Sequence, residues 1–213
     1  TTDESGATMK IVDNGGNTIE FDYHSNGQLE RQKMNGNAAL QTFNQYDNFG
    51  HLTQSTKPNE GTTTYVTNAL DQVTSKTDAL GNVYTYTYDN MGRVITMGEK
   101  AAGSSSVFFY NNIYDNLPGS PQYGKLLQKT SPHGTNLNYG YDMEGNVSNI
   151  TENEGGTTFG TQYIYDAYGR VQQQTYPSGI VTANDYNSYG YLESVNMING
   201  GPGLAGQKLW TAN

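Results

Sequence analysis

The chain has 213 residues, with 18 Tyr, 26 Gly, no Cys and a formal net charge of −9 at pH 7. The acidic balance and the scattered Lys and Arg exclude sequence-independent nucleic-acid binding, which needs basic residues to neutralise phosphates. Without Cys there is no disulfide framework and no thiolate chemistry. Leu, Ile, Val and Phe make up roughly a sixth of the residues, too few for a thick apolar core, so Tyr has to supply the cover: it favours strands and can bury its ring while its hydroxyl stays wet.

Taken in order, the first 22 residues contain Ile11-Val12-Asp13-Asn14-Gly15-Gly16-Asn17-Thr18-Ile19, which reads as strand, Asn/Gly turn, strand. From Tyr23 a unit recurs: Tyr-Asp, two residues, Gly, one residue, Val or Leu. It is clearest in Tyr88-Asp89-Asn90-Met91-Gly92-Arg93-Val94 and returns at Tyr23, Tyr46, Tyr141, Tyr165 and Tyr186. Two copies are altered. One runs from Thr67 to Val73 with Asp71 in the Gly slot, and the other starts at Tyr114-Asp115 and resumes at Gly124-Lys125-Leu126 after an insertion. The starts at 23, 46, 67, 88, 114, 141, 165 and 186 give a period of about 21 to 27 residues, the range of a stacked supersecondary unit.

The motif translates into geometry. Asp first and Gly fourth suit a type I turn closed by a left-handed residue, so each motif is a hairpin tip with a bulge. The residue before Asp then faces the residue two after Gly, which sets Tyr88 opposite Val94, Tyr46 opposite Leu52, Tyr141 opposite Val147, Tyr165 opposite Val171 and Tyr186 opposite Leu192. A second turn follows each first one: Lys57 to Gly61, Asp78 to Gly81, Ser131 to Gly134 and Tyr176 to Gly179. Two turns per unit leave two short strands, so the chain reads as all-β, an antiparallel meander of about sixteen strands. Both faces of the strands are mixed in polarity, as Thr53, Ser55, Gln172 and Gln174 show. A sheet of that size and wetness is expected to curve or spiral as part of a larger hollow wall. Residues 98–106 read as a flexible loop, residues 117–121 as an insertion in a hairpin tip, and Asn199-Gly200-Gly201-Pro202-Gly203 as a Gly-rich end to the last complete unit.

These motifs resemble the YD-repeat, or Rhs-repeat, family, whose units carry Tyr-Asp-x-x-Gly-x-Leu/Val, a later Pro-x-Gly and a Tyr-x-Tyr lead into the next unit. The stretch from Tyr165 to Gly179 matches both halves of the pattern, and the resemblance extends from about Phe21 to Leu192. The family includes bacterial Rhs polymorphic toxins, the B and C components of Tc toxins, wall-associated contact-dependent toxins and animal teneurins. The resemblance implies a β-strip that spirals into a hollow shell and, in the bacterial members, encloses a toxic C-terminal segment. It further implies a secreted or cell-surface protein whose partners are flanking YD repeats and an enclosed toxin polypeptide of the same parent chain, with residues 1–213 forming one segment of it. The shells of this family typically end in a self-cleaving core with Asp-Pro motifs; none of the six prolines here follows Asp.

For sites, the expectation is a non-enzymatic chain with no catalytic residue, metal or cofactor. His24, His51 and His133 each fall on or beside a turn, and the repeated Asp residues Asp47, Asp89, Asp115, Asp142 and Asp166 are explained by accepting backbone amide hydrogen bonds. No stretch is apolar enough to span a membrane, and the start does not resemble a signal peptide. The alternative is a carbohydrate-binding or adhesive module that meets cell-surface glycans through Tyr columns. Its candidate ligand-binding residues are Tyr84, Tyr86, Tyr139, Tyr163 and Trp210.

Overall fold

A computed structural model describes residues 1, 2, 4, 6–199 and 205–212. The Gly-rich piece after the last unit falls mostly outside them, at 200–203. Among the described residues there are eighteen strands and no helix. The chain forms two compact units, Thr1–Phe109 and Tyr110–Asn213.

In the first unit the strands are β1 (Lys10–Val12), β2 (Thr18–Tyr23), β3 (Leu29–Met34), β4 (Asn37–Tyr46), β5 (Leu52–Lys57), β6 (Gly61–Thr67), β7 (Val73–Thr77), β8 (Val83–Tyr88) and β9 (Val94–Lys100). The strand β10 (Phe108–Tyr114) carries the chain into the second unit. There follow β11 (Leu126–Thr130), β12 (Asn136–Tyr141), β13 (Val147–Glu154), β14 (Thr157–Tyr165), β15 (Val171–Thr175), β16 (Val181–Tyr186), β17 (Leu192–Asn199) and β18 (Lys208–Thr211). Within each unit every pairing is antiparallel and joins strands consecutive in sequence, so each unit is a meander. The eight motif hairpins account for sixteen strands, β2 to β17; β1 is the strand expected before the Asn/Gly turn, and β18 is the addition. The latter forms because Trp210 and Thr211 find partners in Val195 and Ser194.

The registers follow the turn chemistry. Tyr88 lies opposite Val94, Tyr46 opposite Leu52, Tyr141 opposite Val147, Tyr165 opposite Val171 and Tyr186 opposite Leu192, each beside a one-residue register shift. The altered copies obey the same rule, with Thr67 opposite Val73 and Tyr114 opposite Leu126. A left-handed residue is what the bulge needs: Gly92 has φ +80, and Asp71, in the Gly slot, is held at φ 60.

One expectation is corrected. The loop read at residues 98–106 begins later, because β9 runs on through Lys100, with Gly98 paired to Thr85. Gly98 is there for close packing rather than for a loop: a Cβ at that position would sit 2.5 Å from Thr85 Oγ1 and 3.2 Å from a ring carbon of Phe109.

Each unit is a single layer in which a strand touches only its sequence neighbours. There is accordingly almost no core. Met197, at 9% exposure, is the one buried hydrophobic residue among those described, and the other buried side chains are the polar Ser55, Thr182 and Ser194. Cohesion in such a layer comes from the backbone ladder and from half-covered side chains, not from a sequestered interior.

Candidate functional site

The most regular construction in the molecule is the hairpin tip that follows each motif Tyr. In the tip after Tyr88, the Asp89 amide donates to the Arg93 carbonyl at 2.9 Å and the Gly92 amide donates to the Asp89 carbonyl at 3.0 Å. The pattern recurs from residue 24 to 28, 47 to 51, 68 to 72, 142 to 146, 166 to 170 and 187 to 191. The inserted tip keeps it as well: Asp115 and Lys125 close the hairpin, and Gly124 donates to the Asp115 carbonyl, so residues 116–123 are spliced into an otherwise intact turn.

The Asp side chain is the organiser. One carboxylate oxygen of Asp89 accepts from the amides of Met91 at 2.9 Å and Arg93 at 3.0 Å. The other takes Nε of Arg93 at 2.7 Å and its Nη2 at 2.6 Å. Asp166 does the same with Tyr168 and Arg170. Elsewhere the second oxygen is met by Nδ1 of His51 at 2.8 Å for Asp47, by the Asn146 amide at 3.0 Å for Asp142, and by the Ser120 hydroxyl for Asp115. These bonds favour the charged form. Arg93 and Arg170 hold Asp89 and Asp166 below the usual carboxylate range, as Asn146 does for Asp142 and Ser120 for Asp115. For Asp47, burial works the other way and is outweighed by the His51 and backbone bonds, so its pKa also falls.

The side chain immediately after the Gly slot is the feature that sequence reasoning missed. In the tips from 24 to 170 that position holds Gln28, His51, Gln72, Arg93, Lys125, Asn146 and Arg170, a hydrogen-bond donor every time, and that alternation-independent run is the signal that was available. Several of these side chains also reach the next tip. Gln28 donates to the Gly50 carbonyl at 2.6 Å, Lys125 donates to the Gly145 carbonyl at 2.9 Å, and Nε2 of His51 lies 3.7 Å from Asp71, the residue in the next Gly slot.

The motif Tyr provides a second link between units. Its hydroxyl donates to the carbonyl of the first residue of the strand before it: Tyr46 to Leu29 at 2.9 Å, Tyr88 to Val73 at 2.6 Å, Tyr141 to Leu126 at 2.7 Å, Tyr165 to Val147 at 2.8 Å and Tyr186 to Val171 at 2.8 Å. Most of these carbonyls lie beyond the end of the paired ladder; β7 and β8, for example, pair only from Ser75 with Thr85 to Thr77 with Val83. The hydroxyl thus satisfies an acceptor that the splaying strands leave open. Cations cover some of the same rings, with Lys125 5.5 Å from the Tyr141 centroid and Arg170 4.2 Å from that of Tyr186.

Consecutive tips leave clefts between them. One of about 650 Å³ lies between the 142 and 166 tips, with Glu144, Tyr163 and Asp166 among its walls. Another of about 450 Å³ lies between the 68 and 89 tips, with Leu70 and Tyr86. A third, of about 410 Å³, lies between the 166 and 187 tips and is lined by Tyr168, Arg170, Asn187, Ser188, Tyr189 and Gly190. Among the described residues no group of three or more His, Asp and Glu is placed to hold a metal ion.

The sequence-named aromatic residues are spread over four strands and both units. Tyr84 and Tyr86 sit half-buried on β8, Tyr139 on β12, Tyr163 on β14, and Trp210 is exposed on β18. Tyr84 lies under the Lys76 ammonium, 5.4 Å from the ring centroid, with its hydroxyl 3.5 Å from Asp78. Burial raises the Tyr84 and Tyr86 phenols above their ordinary pKa.

Comparison with known proteins agrees with this construction. Residues 68–104 and 141–182 match the RHS Repeat family model. The chain is 28% identical over 167 residues to double-stranded DNA deaminase toxin A of Burkholderia cenocepacia (strain H111), covering 72% of this chain and 11% of that protein. Among solved structures it is similar to TcdB2-TccC3-Cdc42, with a TM-score of 0.63 at 16% identity over 93% of this chain and 12% of the other. It is also similar to the Photorhabdus luminescens Tc holotoxin pore, with a TM-score of 0.58 at 16% identity over 88% of this chain and 11% of the other. It therefore spans about a tenth of the length of the proteins it matches, and at these identities the structural likeness is one of fold. Turn chemistry, register and family match coincide over residues 68–104 and 141–182, which match the RHS Repeat, and the hairpin tips outside those stretches follow the same turn template.

Proposed function

We propose that residues 1–213 are a non-enzymatic wall segment of a YD-repeat shell, one that encloses a toxin polypeptide of the same parent chain in a secreted or cell-surface protein. Flanking YD repeats continue the segment on either side. The observation that carries this reading is the single-layer construction. With one hydrophobic side chain buried among the described residues, neither unit is suited to stand as a packed domain, yet within each unit the strands are bonded first by the ladder and then by Tyr hydroxyls where the ladder opens. Such a layer acts as a barrier without needing an interior of its own. Its insertions are confined to the tips and connections, at 101–107 and 116–123, and leave the strands continuous.

The carbohydrate alternative through Tyr84, Tyr86, Tyr139, Tyr163 and Trp210 has less support, since the four Tyr are half-covered and dispersed over three strands. Limited proteolysis of the parent protein tests the wall. Cuts within this segment are expected only at 101–107 and 116–123, with the polypeptide downstream of the repeats resistant until the wall is opened. Rapid cleavage at the Asp-x-x-Gly tips, or of the downstream polypeptide in the intact protein, would overturn the proposal.

A further inference from the structure

Three Asn-Gly pairs lie among the described residues, at Asn14-Gly15, Asn26-Gly27 and Asn35-Gly36, and all three Asn are exposed in turns. Such pairs share one reaction: the Gly nitrogen attacks the Asn side-chain carbonyl carbon, since no Cβ on the Gly screens the approach. Exposure does not separate the three. What separates them is how firmly the fold holds the two reacting groups.

At Asn26 both groups are held. Its Nδ2 donates to Gln28 Oε1 at 2.7 Å, its Oδ1 accepts from the Gln28 amide at 3.2 Å, and the Gly27 amide donates to the His24 carbonyl at 2.9 Å. Asn35 is tied to a neighbouring turn: its Oδ1 accepts from the Thr18 amide at 2.7 Å, and its Nδ2 donates to Asn17 Oδ1 at 3.3 Å. Among the described residues, the Asn14 side chain has no hydrogen-bond partner. The turn from 13 to 17 is organised by Asp13 instead, whose carboxylate accepts from the amides of Gly15 and Asn17 and from Asn17 Nδ2, each at 2.8 Å. The Gly15 nitrogen is thus held by an exposed side chain that can swing away, where the Gly27 nitrogen is held by the backbone of its own turn.

We propose that Asn14 is a site of spontaneous deamidation and the first of the three to convert. Hydroxide removes the Gly15 amide proton, and the nitrogen bonds to Cγ of Asn14. The Cγ–Nδ2 bond then breaks, and Nδ2 leaves as ammonia with a proton from water, which restores the hydroxide. The succinimide that remains adds one water and opens at either carbonyl, to aspartate or isoaspartate at position 14. Either product places a second negative charge beside Asp13. Isoaspartate also adds a methylene to the backbone inside the turn that sets Lys10, Ile11 and Val12 opposite Glu20, Ile19 and Thr18, so β1 is the element that ageing loosens. None of this depends on the chain forming a wall.

The test is to age the 213-residue chain at mildly alkaline pH, once in buffer and once in urea, and to follow each Asn by peptide mapping with mass spectrometry. In buffer, Asn14 is expected to convert about ten-fold faster than Asn26 and Asn35, which must first give up hydrogen bonds that Asn14 lacks. In urea the three rates should converge. Asn14→Gln should abolish the event and leave the melting temperature unchanged. In the fraction carrying isoaspartate, amide exchange over residues 10–12 should rise; unchanged exchange would overturn the loosening of β1. No conversion at Asn14, conversion of Asn26 or Asn35 as fast as Asn14 in buffer, or the same ranking in urea overturns the site.

Discussion

The two ends of the hairpins solve the same problem differently. At the end that carries the motif, one turn template with an Asx or related organiser is repeated, even across an insertion at 116–123. At the opposite end the chain uses several devices. Asn35-Gly36 and Gly155-Gly156 make two-residue turns with positive φ at both positions; residues 58–60 form a three-residue loop; and the five-residue template returns at 13 to 17, 78 to 82, 131 to 135 and 176 to 180. Both ends reverse the chain. The difference is one of regularity: the motif end joins one repeat to the next by the same devices each time, the Tyr hydroxyls and the side chain after Gly, whereas links at the other end are individual, as from Asn35 to Thr18 and Asn17 and from Asn82 to the Ala102 amide. Uniformity appears where one device is repeated in every turn.

Acid should strike the motif end hardest. Asp47, Asp89, Asp115, Asp142 and Asp166 have depressed pKa values there, against Asp13 and Asp78 at the other end. A carboxylate whose pKa is lowered by folding contributes stability that is present above its unfolded pKa and is lost as pH falls through the folded one. Melting temperatures measured downward from neutral pH should therefore hold until about pH 4 and then drop. Asp89→Asn should blunt that drop slightly, and a flat profile down to pH 2.5 would break the electrostatic account.

Among single substitutions, Gly92→Val should be the most damaging, since a branched side chain at φ +80 costs about 2 kcal/mol in urea unfolding. Tyr88→Phe comes next. It leaves the ring and removes the bond to the Val73 carbonyl, for a loss of about 1 kcal/mol, while Tyr163→Phe, on a strand but outside the motif position, serves as a comparison. An equal effect for both would deny the hydroxyl its linking role. The smallest effect has the opposite sign: Asp71→Gly relieves the left-handed strain at φ 60 and should gain roughly 0.5 to 1 kcal/mol. Its ion pair with His51, at 3.7 Å and largely exposed, is too weak to reverse that gain.

Much of the fold was legible because its determinants are local. The left-handed Gly slot, the Asp that accepts amides two and four residues on, and the resulting opposition of Tyr to Val or Leu all lie within seven residues, so even the decayed tips at 67 and 114 could be read. The clefts were not legible. Tyr84 and Tyr86 look like a surface column by alternation, but alternation says which face a ring takes and not what covers it, and β7 brings Lys76 over Tyr84. Tyr168 and Tyr189 sit in turns, where no periodicity marks them.

The sequence by itself determined the all-β meander, the register of each hairpin and the strain placed on Asp71, because turn sterics and side-chain reach within a hairpin do not depend on the neighbours. Tertiary structure decided which carbonyl each Tyr hydroxyl would meet, that Gly98 belongs to a strand, and which tips share a cleft. Those outcomes depend on how far adjacent hairpins splay, a distance between chain segments that no local pattern encodes.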